Sequence, residues 1–145
     1  MNHVAIMKKS WGLIPKILSG EKTIESRWYV TKRSPWNKIF EGDIIYFKNS
    51  GEKVEAKAFV KKVHQFNFEN KKQIEKVIKK YGKEICLIEP NINKWGRVPK
   101  YAILMELKNP TEIKNQFNIN KKGFGSSSAW ISIKNIRSIK IENNN

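Results

Sequence analysis

Lys22, Glu25 and Arg27 stand close together behind a glycine, in the stretch Gly20-Glu21-Lys22-Thr23-Ile24-Glu25-Ser26-Arg27. Two cations and one carboxylate in so short a stretch are costly to bury together unless their partners are well placed. The set becomes useful when an anionic or strongly hydrogen-bonding ligand completes it. If the segment is a strand, Glu25 and Arg27, two residues apart, share one face. Arg27 can then fork two hydrogen bonds to a carboxylate or a phosphate. Lys22, at the strand entrance, supplies a mobile point charge. The competing reading is a Glu25–Arg27 ion pair on a solvated face, which would contribute little.

A second group of residues is aromatic. The chain has five tryptophans. Trp28 follows the charged stretch, Trp36 closes the basic loop Lys32-Arg33-Ser34-Pro35, and Trp130 follows a glycine- and serine-rich segment. Exposed aromatics stack nucleobases, each stack being worth roughly 1–3 kcal/mol, while neighbouring cations such as Arg33 hold the backbone. Against this, tryptophan is highly buried on average and any one of these could be core. The segment Lys121-Lys122-Gly123-Phe124-Gly125-Ser126-Ser127-Ser128 could cradle a phosphate with backbone amides, Lys121 and the Ser126 hydroxyl, or be a flexible loop. It lacks the spacing of a nucleotide-triphosphate loop.

Other chemistries find no support. A lone Cys86 excludes an internal disulfide and a multi-cysteine metal site. His3 and His64 are too far apart in sequence to suggest a metal site, and nothing reads as a serine or cysteine triad. No metal and no cofactor are expected.

The elements that must position these residues follow from periodicity and punctuation. His3 to Met7 reads as a first strand. Trp11 to Ser19 reads as a short helix capped by Ser10 and ended by Gly20, with Leu13, Ile14, Ile17 and Leu18 as its inward stripe. Lys22 to Val30 reads as a strand. Glu41-Gly42-Asp43 turns into a strand from Ile44 to Lys48, and Asn49 to Glu52 turns into another, with Val54, Ala56, Ala58 and Val60 at period two. Phe59 breaks that alternation and predicts burial on both faces or a bulge. Lys71 to Tyr81 has helical spacing of Ile74, Val77, Ile78 and Tyr81, with Gly82 as its C-cap and a lysine-rich outer face.

Pro90 to Pro99 reads as a loop, and Tyr101 to Leu107 as a strand ended by Asn109-Pro110. Asn118 to Ser128 reads as a long surface loop. Trp130 to Ile133 and Ile136 to Ile141 read as terminal strands, with a frayed tail from about residue 142. Tight-turned antiparallel strands with asymmetrically placed helices predict an α+β barrel of about five or six strands. No repeat, linker or composition break appears, so residues 1–145 are expected to form one domain.

Composition agrees with a folded chain: 39% hydrophobic and 11% aromatic. No apolar run approaches the ~20 residues of a membrane span. The N-terminus does not read as a signal peptide, so a cytoplasmic and monomeric protein is expected. The net charge of +16 attracts polyanions over a distance and predicts salt-dependent binding to nucleic acid. Enrichment in Lys, Asn and Ile also fits the codon usage of an AT-rich genome. Acidic residues lag far behind, with a single aspartate at Asp43.

Gly20, Lys22, Glu25 and Arg27 resemble the G-x-K-x-x-E-x-R signature of the ASCH domain, a branch of the PUA-like β-barrels. The preceding helix and the following Glu41-Gly42-Asp43 turn match that order, and the likeness covers Val4 to about Lys62. The resemblance implies a mostly antiparallel barrel with two flanking helices, and a cleft beside the motif where RNA or a nucleoside binds. Some similar proteins hydrolyse acylated cytidine with the motif lysine and a threonine; here Glu25 takes the threonine's position. Others are linked to RNA cleavage. Two functions follow: a module binding RNA or a modified nucleotide, or a hydrolase acting through Lys22 and Glu25. A small deep pocket with a tightly held lysine would favour the enzyme, and an open groove continuous with a basic surface would favour RNA.

Overall fold

In a computed structural model, which describes residues 1–125 and 127–141, seven strands and two α-helices follow one another along the chain. The strands are β1 (Asn2–Met7), β2 (Ile24–Tyr29), β3 (Ile44–Asn49), β4 (Val54–Asn67), β5 (Tyr101–Ile119), β6 (Trp130–Ile133) and β7 (Lys140–Ile141). The helices are α1 (Leu13–Ser19) and α2 (Lys71–Ile85). The strand path runs β2-β5-β4-β3-β1-β6, with β7 on the far end of β5. Among the described residues, only β1 and β3 pair in parallel and every other pair is antiparallel. The result is a curled, half-barrel sheet with two helices, the α+β PUA-like architecture.

The curl comes from the two long strands. β4 and β5 pair along nearly their whole length, and their register slips three times. Each bulge bends and twists the pair locally. Register slips lie on both sides of Phe59, yet the burial alternation runs unbroken through it: Phe59 is half-buried on the face opposite Ala58 and Val60. Asn109-Pro110, expected to end β5, lies instead at one of the slips. Asn109 adopts φ 53°, a left-handed conformation that asparagine tolerates, and Pro110 falls outside the paired positions, where its missing N–H costs nothing. β5 therefore runs on to Ile119, and the expected surface loop begins only at residue 120.

The inner face of the curl buries Ala56, Ala58 and Val60 with Ile103, Met105 and Phe47, and α1 closes it through Leu13, Ile14 and Ile17. The opposite face of β5 buries Ala102 and Leu104 under α2, against Ile74, Val77 and Ile78. β5 is thus covered on both sides over residues 102–105, which accounts for its unbroken apolar run. Lys72, Lys76, Lys79 and Lys80 of α2 are exposed.

Besides the end of β5, four further elements differ from expectation. α1 starts at Leu13, because Lys9–Trp11 forms a separate 3-10 turn and Gly12, at φ 62°, occupies the cap position in place of Ser10. β2 starts at Ile24, because the Lys22 and Thr23 amides are drawn to the carbonyls of Lys16 and Glu84. α2 continues through Gly82 to Ile85, whose burial under the helix outweighs a glycine penalty of roughly 1 kcal/mol, and Cys86 at φ 56° forms the cap. The last predicted strand is split into a 3-10 turn, Ile136–Ser138, and β7. The tail from residue 142 lies outside the described residues. Among the described residues, no helix is long and apolar enough to cross a membrane.

Candidate functional site

The entrance of β2 lies between α1 and the end of α2, and this is where Lys22 turns inward. Gly20, left-handed at φ 85°, ends α1. Lys22 is only 2% exposed. Its Nζ donates to the carbonyls of Ile24 at 2.9 Å and Ile85 at 2.5 Å. The Ile85 carbonyl belongs to the last turn of α2, where unpaired carbonyls concentrate negative charge and favour a cation. The third partner is Glu25, whose Oε1 lies 3.6 Å from Nζ. Lys22 is therefore a staple joining β2 to α2, held by two hydrogen bonds to carbonyls and an ion pair with Glu25.

Glu25 is buried as well, at 3% exposure. Its Oε1 accepts the Ser26 amide at 2.8 Å. Its Oε2 is buried, accepts no hydrogen bond, and has the Arg27 Nη2 3.8 Å away. A buried oxygen left in this condition costs roughly 1–3 kcal/mol, which a ligand N–H would recover.

Arg27 reaches across the seam where the sheet fails to close, between β2 at one end of the strand path and β1 and β6 at the other. Its Nη1 donates to the Ala129 carbonyl at 3.1 Å and its Nη2 to that of Ile6 at 3.5 Å. The guanidinium lies 5.1 Å from the centre of the Trp130 ring. Arg27 and Glu25 do share a face, as their spacing predicts, but Arg27 is tied mainly to backbone carbonyls.

These side chains line a cleft of about 450 Å³. Its lining is largely apolar, with Met7, Leu13, Leu87 and Ile88 beside Trp11, Trp28 and Trp95. Trp28 is fixed in place. Its Nε1 donates to the Ser26 hydroxyl at 2.9 Å, its ring stacks on Phe68 at 6.1 Å, and Trp95 meets it edge-on at 5.2 Å.

A second depression of about 420 Å³, more polar, lies on the other side of Arg27 and Trp130. Tyr29 lines both. Arg33, Lys38, Ser127, Ser128 and Ser132 surround the second. Burial pushes the Tyr29 phenol above its ordinary range, against the opposing pull of Arg27 and Arg33.

The structure thus brings Lys22, Glu25, Arg27 and Trp28 into one cleft and places Arg33 and Trp130 at its neighbour. Trp36 stands apart, packed edge-on against Tyr101 at 5.1 Å. Lys121 donates to the Ser128 carbonyl at 3.1 Å, bracing the loop that lines the second depression. Ser126 lies outside the described residues. Sequence reasoning missed the wall formed by residues 85–89 and 95. Its one local signal was Trp95 in an otherwise polar loop; the rest depends on the long-range Thr23–Glu84 contact. Among the described residues, no group of three or more His, Cys, Asp or Glu side chains could hold a metal ion.

No family model matches the chain, and no curated protein does. Solved structures do. An ASCH protein from Zymomonas mobilis superposes with a TM-score of 0.59 at 16% identity, over 92% of this chain and 87% of that one. A point variant of the same protein gives 0.66 at 17% identity, over 94% and 91%.

Proposed function

We propose, from the ASCH fold that this chain shares with those structures, that the cleft beside β2 binds a single nucleobase of RNA or of a modified nucleotide. The observation that carries the reading is the buried, unpartnered Oε2 of Glu25 in a cleft walled by tryptophans. A nucleobase supplies what the cleft lacks: an in-plane N–H donor for the carboxylate and a flat face for Trp28 or Trp95. An unstacked base presents both at once, whereas inside a duplex its faces are stacked and its Watson–Crick donors are paired. The net charge of +16 supplies the general attraction for the backbone, and the fixed groups of the largely apolar cleft supply the discrimination.

One observation favours the hydrolase as a second reading: the cleft is small, and its lysine is tightly held. Lys22 would then stabilise developing negative charge and Glu25 would act as base on water. The binding module is preferred because Glu25 stands where the similar hydrolases have their threonine, and because a net charge of +16 suits a polyanion rather than a neutral nucleoside.

Titrating labelled single-stranded RNA and mononucleosides into the wild type and Glu25→Gln tests the first reading. Glu25→Gln should erase the preference between a base with a free N–H donor and its N-methylated analogue, a preference of about tenfold or more for one well-made hydrogen bond to a charged group. Equal affinities of the wild type for the two analogues would refute it. Release of acyl groups from acylated cytidine, followed by chromatography, would establish the second reading in its place.

A further inference from the structure

His3 and Ser132 are direct register partners across β1 and β6. Residues directly opposite in an antiparallel pair project to the same side. Asp43 precedes β3, the neighbour of β1 on the other flank, and so lies across the histidine from the serine. These residues are 129 and 40 positions apart in the chain, beyond the reach of any sequence motif.

The contacts are short and directional. Asp43 Oδ2 lies 2.9 Å from His3 Nε2, and Ser132 Oγ lies 2.9 Å from His3 Nδ1. A carboxylate only accepts, so Nε2 carries the proton and Nδ1 presents a lone pair. The Ser132 hydroxyl can then donate to Nδ1. The Trp130 Nε1–H lies 3.2 Å from Ser132 Oγ and 3.3 Å from His3 Nδ1; with the Nδ1 lone pair taken by the serine hydroxyl, the indole donates to Oγ and holds it in place. Asp43 is itself fixed by the Phe40 amide and the terminal amino group, each 3.0 Å away.

A buried His–Asp pair on its own needs no function. Here, however, the second nitrogen meets a hydroxyl rather than a backbone carbonyl. That hydroxyl belongs to a part-exposed residue at the edge of the sheet, lining the polar depression of about 420 Å³. Nucleophile, base and orienting carboxylate in hydrogen-bond sequence are the arrangement that activates a serine, whatever the fold or chain order.

We propose that Ser132, with His3 as its base and Asp43 as the group that orients His3, is an activated nucleophile that cleaves carboxylic esters carrying an anionic group. Arg33 and Lys38 at the same depression provide the complement for that anion. Ser132 Oγ attacks the ester carbonyl carbon as its proton passes to His3 Nδ1. The tetrahedral intermediate collapses by breaking the bond to the leaving oxygen, which takes the proton from Nδ1. Water then adds to the acyl-serine, losing a proton to the same nitrogen, and releases the carboxylic acid and free Ser132. Burial keeps the His3 imidazole below its usual range despite Asp43, so the base is neutral near pH 7. The proposal is independent of the nucleobase reading, which uses neither Ser132 nor His3.

The test is labelling by a fluorophosphonate followed by peptide mapping, together with the initial rate of hydrolysis of an aryl hemisuccinate ester. The wild type should be labelled at Ser132. Ser132→Ala should lose labelling at that peptide, and the rate should fall by about 100-fold or more, the usual share of base-activated attack. Asp43→Asn should slow labelling without abolishing it. Ser132→Ala removes one oxygen and frees the Trp130 N–H for His3 Nδ1, 3.3 Å away, so the fold is retained, as circular dichroism would verify. Absence of Ser132 labelling in the folded wild type would overturn the proposal. So would labelling spread evenly over several serines, or an unchanged rate in Ser132→Ala.

Discussion

Lys22→Met is the sharpest test of how this site is built. Methionine nearly matches the alkyl length of lysine but cannot donate, so the cavity stays filled while three contacts vanish. The carbonyls of Ile24 and Ile85 lose their shared donor, and Glu25 loses the nearer of its two cations. The side chains of Lys22 and Glu25 are only 1% and 4% exposed, so solvent cannot replace the missing partner. Breaking a buried pair by removing one member costs about 3–5 kcal/mol, because the other charge is stranded. Urea unfolding followed by tryptophan fluorescence would read this as a lower midpoint with an unchanged slope. Adding Glu25→Gln should restore at least about 1 kcal/mol, because the stranded charge is then gone. A loss below about 1 kcal/mol for Lys22→Met, or strict additivity of the pair, would refute the staple.

Four further outcomes follow from the same structure. Leu104→Ala, at a fully buried position between β5 and α2, should cost about 2–5 kcal/mol in the same unfolding assay. Stability should fall as pH drops below about 6.5, the ordinary value of histidine, because the folded His3 resists protonation relative to the unfolded chain. It should fall again below 3.8, as Asp43, whose hydrogen bonds outweigh its burial and hold its carboxyl down, is protonated. A melting temperature flat from pH 7 to pH 3 would contradict both shifts. Single-stranded RNA affinity, measured by fluorescence anisotropy, should drop at least about tenfold between roughly 50 and 200 mM salt. Lys79→Ala with Lys80→Ala should weaken binding alike for every base, and a change of preference in that variant would move the recognition site to α2.

What was legible in the sequence is what local chemistry decides. The alternation Val54, Ala56, Ala58, Val60 predicts a half-buried strand, and all four side chains are fully buried. The stripe Ile74, Val77, Ile78 predicts the face on which α2 docks. The spacing of Glu25 and Arg27 predicts a shared face, and both line the cleft. The errors arise where tertiary contacts override a local signal. Proline at 110 stops a strand only if its N–H is needed, and a register slip removes the need. Glycine at 82 ends a helix only if nothing beyond it is worth burying, and Ile85 is.

The charges of the motif show the same limit more strongly. Lys22 reads from sequence as a mobile cation, yet the structure spends its protons on the carbonyls of Ile24 and Ile85, the latter 63 residues away. Arg27 reads as a fork for a ligand, yet it is held by carbonyls of the strands across the seam. The residue left with unmet capacity is Glu25. Its neighbours satisfy one oxygen and leave the other bare, a condition that depends on where Lys22 and Arg27 point rather than on which residues they are. On the proposed reading, a ligand for this cleft would be selected by its donors, bringing an N–H to the one carboxylate oxygen that the fold buries without a partner.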